Sequence, residues 1–207
     1  MKEPSYFYED YLRSRGFGIV CGVDEVGRGS IAGELLATCI GLPTGLDKKN
    51  IRDSKTLSEK QRSEMSNYIL ENIVAIGFGS ASVEEIDSLN VLEATKLAMA
   101  RAINTCRPKP DYVIIDGSVL ELDTDIPKSF IINADSVSVV VAAASIVAKL
   151  TRDAEMKYNL HEKFPMYGWD RNKGYGTRDH YRAIEEYGIC EYHRKSFNLG
   201  KHEWKKT

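Results

Sequence analysis

The chain has 207 residues, of which 43% are hydrophobic and 28% charged, with a net charge of −2. That balance describes a soluble globular chain and excludes disordered, collagenous and coiled-coil classes. The longest nearly apolar run, 137–148, is broken by Ser138 and Ser145 and falls short of the ~20 residues of a membrane span.

In chain order, residues 5–14 are expected to form a short amphipathic helix leading into Gly16 and Gly18. Gly18 to Val23 reads as a buried strand and Gly33 to Ile40 as a second, rich in small apolar residues. Between them, Asp24 to Gly29 forms a turn-rich junction. Pro43 to Lys55 is a loop. A helix over Ser58–Glu71 opens with a capping-box signal, Ser58 followed three residues later by Gln61. Ile73 to Ser80 is the third strand, and Val83 to Ile103 has helical periodicity with a break near Asn90. Pro108 and Pro110 end that segment. Short strands follow at Tyr112–Ile115 and Ser129–Ile132, then a helix over 136–150 that continues toward Met156, apolar at its start and polar at its end. Pro165 to Gly176 is a loop, and Thr177 to Tyr187 a helix stopped by Gly188. The pattern predicts one α/β domain over residues 1–207, with a mixed sheet and a helical C-terminal segment from about 160.

Cys21, Cys39, Cys106 and Cys190 lie far apart in the sequence with no CxxC pair. They are expected to be buried and reduced, which together with an N-terminus lacking an apolar signal core points to the cytoplasm. Charge is uneven. Residues 149–207 hold 13 basic against 9 acidic side chains and all four histidines, whereas residues 1–148 hold 15 against 21. A basic last quarter beside an acidic body suits either a polyanion-facing surface near a carboxylate cluster or ordinary scattered surface charge.

Three acidic positions share one placement. Asp24-Glu25 end the first strand, Asp116 ends the strand at 112–115, and Asp135 precedes the apolar helix. Functional groups in open α/β sheets gather outside strand ends, and carboxylates brought together there repel unless a cation lies among them. Mg²⁺ and similar hard ions take oxygen ligands of this kind. Neighbouring acids on a regular strand face opposite ways, so Asp24 and Glu25 reach one ion only if the strand ends or bulges. Each acid also has an ordinary explanation: a solvated turn for Asp24-Glu25, a turn dipeptide for Asp116-Gly117, a helix N-cap for Asp135. Gly27-Arg28-Gly29 with Gly33 lacks the spacing and the following helix of a dinucleotide fingerprint. Neither a P-loop nor a GxSxG elbow is present.

The run Gly22-Val23-Asp24-Glu25-Val26-Gly27-Arg28-Gly29 resembles the signature of type 2 ribonucleases H, bacterial ribonuclease HII above all. In family order come Asp53-Ser54-Lys55, Ile114-Ile115-Asp116-Gly117, the stretch Ala142 to Lys149 with Thr151-Arg152-Asp153, Lys173-Gly174-Tyr175-Gly176-Thr177 and His193-Arg194-Lys195-Ser196-Phe197. The resemblance spans residues 16–197.

It implies a ribonuclease H-like fold with a central mixed five-stranded sheet flanked by helices. It implies an endonuclease cutting the RNA strand of RNA–DNA hybrids and single ribonucleotides in duplex DNA, with two divalent ions, Mn²⁺ or Mg²⁺. By similarity Asp24, Glu25, Asp116 and Asp135 are the active-site acids, the first three being metal ligands. Gly27, Arg28, Gly29 and Tyr175 match the elements that sense the ribonucleotide–deoxyribonucleotide junction. Lys55, Lys149, Lys173 and Arg178 are the expected phosphate contacts. A monomer with no membrane partner is expected. Three positions depart from the family: Asn133-Ala134 where Lys-Gly is common, Ser118 where Asn is, and Ser30 where Pro is. The first removes a cation near the fourth acid. Competing readings are a sister ribonuclease that ignores single ribonucleotides, a silent nucleic-acid binder, and a metal-free carboxylate-pair glycosidase.

Overall fold

The computed structural model describes residues 3–49, 51–52, 54, 57–118 and 121–200. Five strands form one mixed sheet: β1 (Val20–Val26), β2 (Leu35–Gly41), β3 (Ala75–Ala81), β4 (Tyr112–Asp116) and β5 (Lys128–Ile131), in the order β3-β2-β1-β4-β5. The β1–β2 and β2–β3 pairs are antiparallel, while β1–β4 and β4–β5 are parallel. This is the mixed five-stranded sheet that the resemblance implied.

Helices cover both faces. On one face lie α1 (Phe7–Ser14), α2 (Glu59–Asn72) and the apolar α5 (Val139–Ala154), packed with Ile40, Ile114 and Val20 of the sheet. On the other, α3 (Val83–Leu89) and α4 (Val91–Thr105) cover Val23, Cys39, Val113 and Ile115. Each fully buried Val or Ile here favours the folded state by ~1.5–3 kcal/mol over exposure. The expected break at Asn90 is real: its φ is 75°, and its side chain caps α4 by accepting from the Leu92 and Glu93 N–H groups. The Ser58–Gln61 capping box also forms in full.

A third apolar cluster belongs to the C-terminal part. After α5 the chain runs through a π-helical stretch, Glu155–Leu160, into α6 (His161–Lys163), α7 (Trp169–Asn172) and α8 (Arg178–Tyr187). Met156, Leu160, Tyr167, Trp169 and Ile184 pack there against Ile31 and Ala32. The segment 165–176, expected to be a loop, holds a 3₁₀ turn at Pro165–Tyr167 and the short α7, because Trp169 is fully buried and pins that turn.

Two boundaries shift in ways that bear on the site. First, β1 does not stop at Val23. Asp24, Glu25 and Val26 stay in register with Thr38, Ala37 and Leu36 of β2, so the expected junction begins only at Gly27. Second, α5 starts at Val139 rather than 136. Its N-cap is Ser138, whose hydroxyl accepts from the Val141 N–H, and Asp135 instead lies in a separate 3₁₀ turn, Ala134–Ser136. Asn133 enters that turn in the left-handed region (φ 57°), a conformation asparagine tolerates better than most residues.

Candidate active site

Parallel strands β1 and β4 pair only up to Val23 and Ile115. Asp24 and Asp116 are the next residue on each, so their carboxylates stand at neighbouring strand ends. Strand alternation puts both on the face covered by α5, since Gly22 and Ile114, two residues earlier on each strand, face it too. Glu25 leaves β1 on the opposite face. The ladder to β2 is unbroken here, so no bulge turns the two acids the same way. Both nevertheless border one cleft of about 360 Å³, because β4 ends and leaves the edge of β1 open.

Helix α5 closes over this edge. A Cβ on Gly22 would lie 2.3 Å from backbone atoms of Val140 and Val141, so only glycine permits the helix to approach β1 so closely. That approach carries Ser145 and Lys149 into the cleft. Ser145 and Ser54 share a buried hydroxyl–hydroxyl hydrogen bond of 3.0 Å, and the Thr38 hydroxyl donates to the Ala144 carbonyl at 2.8 Å.

The electrostatics of the cleft are those of crowded anions. Burial first, then the charge of Glu25, and further the charges of Asp116 and Asp135, push the Asp24 carboxyl well above its ordinary range. A hydrogen bond from Ser145 pulls the other way. Asp24 Oδ1 accepts from the Glu25 N–H at 2.8 Å, and Asp116 Oδ1 accepts from the Ala134 N–H at 2.6 Å. The second bond ties Asp116 to the turn that carries Asp135, which is itself buried. Carboxylates whose charges repel across one cleft suit a hard divalent cation, and among the described residues no three of them bring oxygens within 4.8 Å of one another.

Gly27, Arg28 and Gly29 form one wall and Tyr175 another. Gly27 has φ +88°, and a Cβ there would strike the Arg152 guanidinium. Gly29 faces open space. The Arg28 guanidinium lies 3.8 Å from Glu25, with its side chain more than half exposed. The Tyr175 ring lies near two cations, Lys149 Nζ at 5.4 Å and Arg152 Cζ at 5.8 Å from its centroid. Lys149 also bonds Asp153 at 2.7 Å.

The cleft therefore gathers Asp24, Glu25, Asp116, the Gly27–Gly29 turn, Lys149 and Tyr175. Asp135 is buried and does not line the cleft, but its charge acts on Asp24. Two expected phosphate contacts stand elsewhere. The Lys173 ammonium donates to the Asp170 carbonyl, and Arg178 opens α8 beside a separate depression lined by Tyr181, Arg182 and Glu185. Lys55 lies outside the described residues.

Residues not foreseen also support the site. Arg152, almost fully buried, donates to the carbonyls of Ala32, Glu34 and Lys173, and Arg194 to those of Gly33 and Arg28. Both occur in the motifs quoted above, but nothing in those motifs shows an arginine turned inward. Ser145 lies in the quoted stretch Ala142 to Lys149, but it is read there only as an interruption of an apolar run, with no role assigned. The sulfurs of Cys21, Cys39 and Cys106 converge within 4.8 Å of one another on the α4 side of the sheet. These are soft donors, and they lie away from the carboxylates.

Comparison with known proteins agrees with this architecture. The chain resembles the ribonuclease H2 of Pyrococcus horikoshii OT3, with a TM-score of 0.72 and 27% identity, covering 87% of this chain and 94% of that one. Fold and cleft thus place it among the type 2 ribonucleases H. The profile of the family described as Ribonuclease HII matches residues 21–207. Relatives bearing that name include those of Bacillus subtilis strain 168, 43% identical over 92% of this chain and 73% of its own length, and of Chlamydia muridarum, 48% identical over 95% and 89%. The chain belongs to the ribonuclease HII family.

Proposed function

We propose that the protein is a divalent-metal-dependent endoribonuclease with two related substrates. It hydrolyses the RNA strand of RNA–DNA hybrids, and it incises on the 5′ side of single ribonucleotides in duplex DNA. Both reactions leave 3′-hydroxyl and 5′-phosphate ends, and the second serves removal of ribonucleotides from DNA. On this reading the enzyme acts as a monomer in the cytoplasm. The observation that carries the proposal is the meeting of Asp24 and Asp116 at adjacent strand ends, in one cleft with Glu25, the Gly27–Gly29 turn and Tyr175.

The donor set fits Mg²⁺ or Mn²⁺. Asp24, Glu25 and Asp116 would hold the ion or ion pair, with the buried Asp135 adding charge. The bound metal supplies Lewis-acid polarisation of the phosphate and a water of lowered pKa. The protein's part is positioning. Asp24 and Asp116 each have one oxygen fixed by a backbone N–H, so little reorganisation is needed when a phosphate arrives.

Selectivity follows from the walls. Gly29 presents bare backbone to open space, which lets a sugar 2′-hydroxyl approach main-chain groups, and Arg28 adds a planar donor. The Tyr175 ring packs against the next deoxyribose, where a second 2′-hydroxyl would clash. Reading of this kind uses shape and the 2′-hydroxyl rather than base edges. Lys149, which lines the cleft, is assigned a phosphate at the cleavage site on this reading. Lys173 and Arg178 act farther along the duplex, and Lys55 keeps the assignment its motif implies.

The deciding assay uses a labelled DNA duplex containing one ribonucleotide, with and without Mg²⁺ or Mn²⁺, beside an all-DNA duplex and a continuous hybrid. Metal-dependent cutting 5′ of the ribonucleotide is expected, and the all-DNA duplex stays intact. Cutting of the hybrid alone would remove junction sensing from the Gly27–Gly29 turn and Tyr175. No cutting by folded protein with either metal would end the nuclease reading.

A further inference from the structure

Two histidines that the proposed chemistry does not use lie beneath the Tyr175 turn. His180 and His193 are both fully buried, among the rings of Tyr167 and Trp169. All four of their ring nitrogens have partners. His180 Nδ1 is 2.9 Å from the Tyr175 carbonyl oxygen. His180 Nε2 is 3.1 Å from the Trp169 indole nitrogen and 3.1 Å from His193 Nε2. His193 Nδ1 is 3.0 Å from the Cys190 backbone nitrogen and 3.3 Å from the Cys190 sulfur.

These partners leave one arrangement of hydrogens. A carbonyl only accepts, so His180 carries its hydrogen on Nδ1. An indole N–H only donates, so His180 Nε2 offers its lone pair. The Cys190 N–H donates to His193 Nδ1, which puts the His193 hydrogen on Nε2, so that the one lone pair of His180 Nε2 is shared between the Trp169 and His193 N–H groups. Both rings are neutral, and protonating either sets N–H against N–H. Burial lowers both pKa values, that of His193 to about 4 with help from the neighbouring ring.

The chain of hydrogen bonds ends on Tyr175. Its carbonyl accepts from the Thr177 N–H at 2.8 Å as well as from His180, and its own N–H donates to the Asn172 carbonyl at 2.9 Å. Its backbone is held from both sides while the ring reaches the cleft.

We propose that His180 is a positioning residue for Tyr175, kept in its Nδ1–H form by His193 and Trp169, and so sets selectivity for the ribonucleotide junction. The proposal rests on the reading of Tyr175 given above. A ring that separates a 2′-hydroxyl from a hydrogen must be placed to a fraction of an ångström. A loosened Tyr175 backbone gives up that discrimination and leaves the carboxylates where they are.

The test is the ratio of kcat/KM on the single-ribonucleotide duplex to that on the continuous hybrid. It is measured for wild type, Tyr175→Ala, His180→Leu and His180→Asn, with folding checked by circular dichroism. Asparagine hangs an amide N–H on Cγ, where histidine carries Nδ1–H, while leucine offers volume without a donor. His180→Leu is expected to lower the ratio about ten- to a hundredfold, with a far smaller loss on the hybrid, and His180→Asn to restore most of it. A wild-type ratio in His180→Leu, or His180→Asn no better than leucine, overturns the proposal. If Tyr175→Ala keeps the wild-type ratio, the reading of Tyr175 falls and the proposal with it; if only His180→Leu keeps it, the proposal falls alone. A second measurement needs no variant. Imidazole ¹⁵N spectra of the wild type at pH 7 are expected to show His180 as the Nδ1–H and His193 as the Nε2–H tautomer, and the reverse assignment overturns the scheme.

Discussion

At the scale of single residues, Asp24 is a carboxyl buried among other acids, Glu25, Asp116 and Asp135, which disfavours the charged form. Asp24→Asn removes a negative charge from that cluster and keeps the shape. In EDTA this variant is expected to melt at a higher temperature than wild type. Its metal-dependent cleavage is expected to fall by more than the roughly 10- to 100-fold cost of losing a group that merely supports a ligand. Near-normal turnover in saturating Mg²⁺ would remove Asp24 from the ligand set. His193 is a titratable group buried in neutral form. Its pKa drops from 6.5 to about 4 on folding, so the unfolded chain takes up a proton that the native ring refuses. The associated stability, about 3 kcal/mol, is fully present above pH 6.5 and is lost as pH falls toward 4. Urea unfolding at pH 7, 5.5 and 4.5 should show wild type losing more than His193→Gln over that interval. Parallel losses in the two proteins would contradict the assignment.

At the scale of elements, the contact between α5 and β1 builds the cleft. Gly22 lets the helix lie against the strand backbone, and the helix brings Ser145 and Lys149 over Asp24. The N-terminus of α5 is held from outside by the buried Glu9 of α1, whose Oε1 accepts from Ser138 Oγ and the Val140 N–H at 2.8 and 3.0 Å. Burial raises the Glu9 pKa despite those bonds. Gly22→Ala forces the two elements apart, at an expected cost of about 1–3 kcal/mol. The displacement reaches the cleft, so activity should fall at temperatures where the variant is still folded. An unchanged denaturation midpoint, with full activity, would show that α5 yields without consequence.

For the molecule as a whole, the order β3-β2-β1-β4-β5 puts the two strands bearing Asp24 and Asp116 side by side and in parallel. Parallel pairing aims their C-terminal ends the same way, and the C-terminal segment supplies the facing wall through Tyr175. A cation bound only by the native cluster stabilises the whole fold. Mg²⁺ or Mn²⁺ at a hundred times its dissociation constant should add about 2.7 kcal/mol. A thermal shift with either ion, reversed by EDTA and absent in Asp24→Asn, is the expected result. An equal shift in both proteins would place the ion elsewhere. Among the described residues no helix is long and apolar enough to cross a membrane.

Short-range features were readable along the chain. The Ser58–Gln61 box, the break at Asn90 and the stop at Gly188 each depend on hydrogen bonds reaching only a few residues. So does the arrival of Asp116 at the end of an apolar strand. The extension of β1 to Val26 was not readable, because β2 sustains that pairing from outside the strand. The true start of α5 was hidden similarly: Asp135 and Ser138 both suit an N-cap, and Asp135 is instead committed to the turn whose Ala134 N–H holds Asp116. The inward turn of Arg152 and Arg194 joins positions more than a hundred residues apart, the pairing of His180 with His193 joins two separate segments 13 residues apart, and the three cysteine sulfurs come from three different parts of the chain. The sequence alone thus marks which residues end strands and cap helices, since local hydrogen bonding and periodicity settle those. Which carboxylates meet and which polar groups are buried depend on how distant segments close on one another, where long-range pairing and packing outweigh local preference.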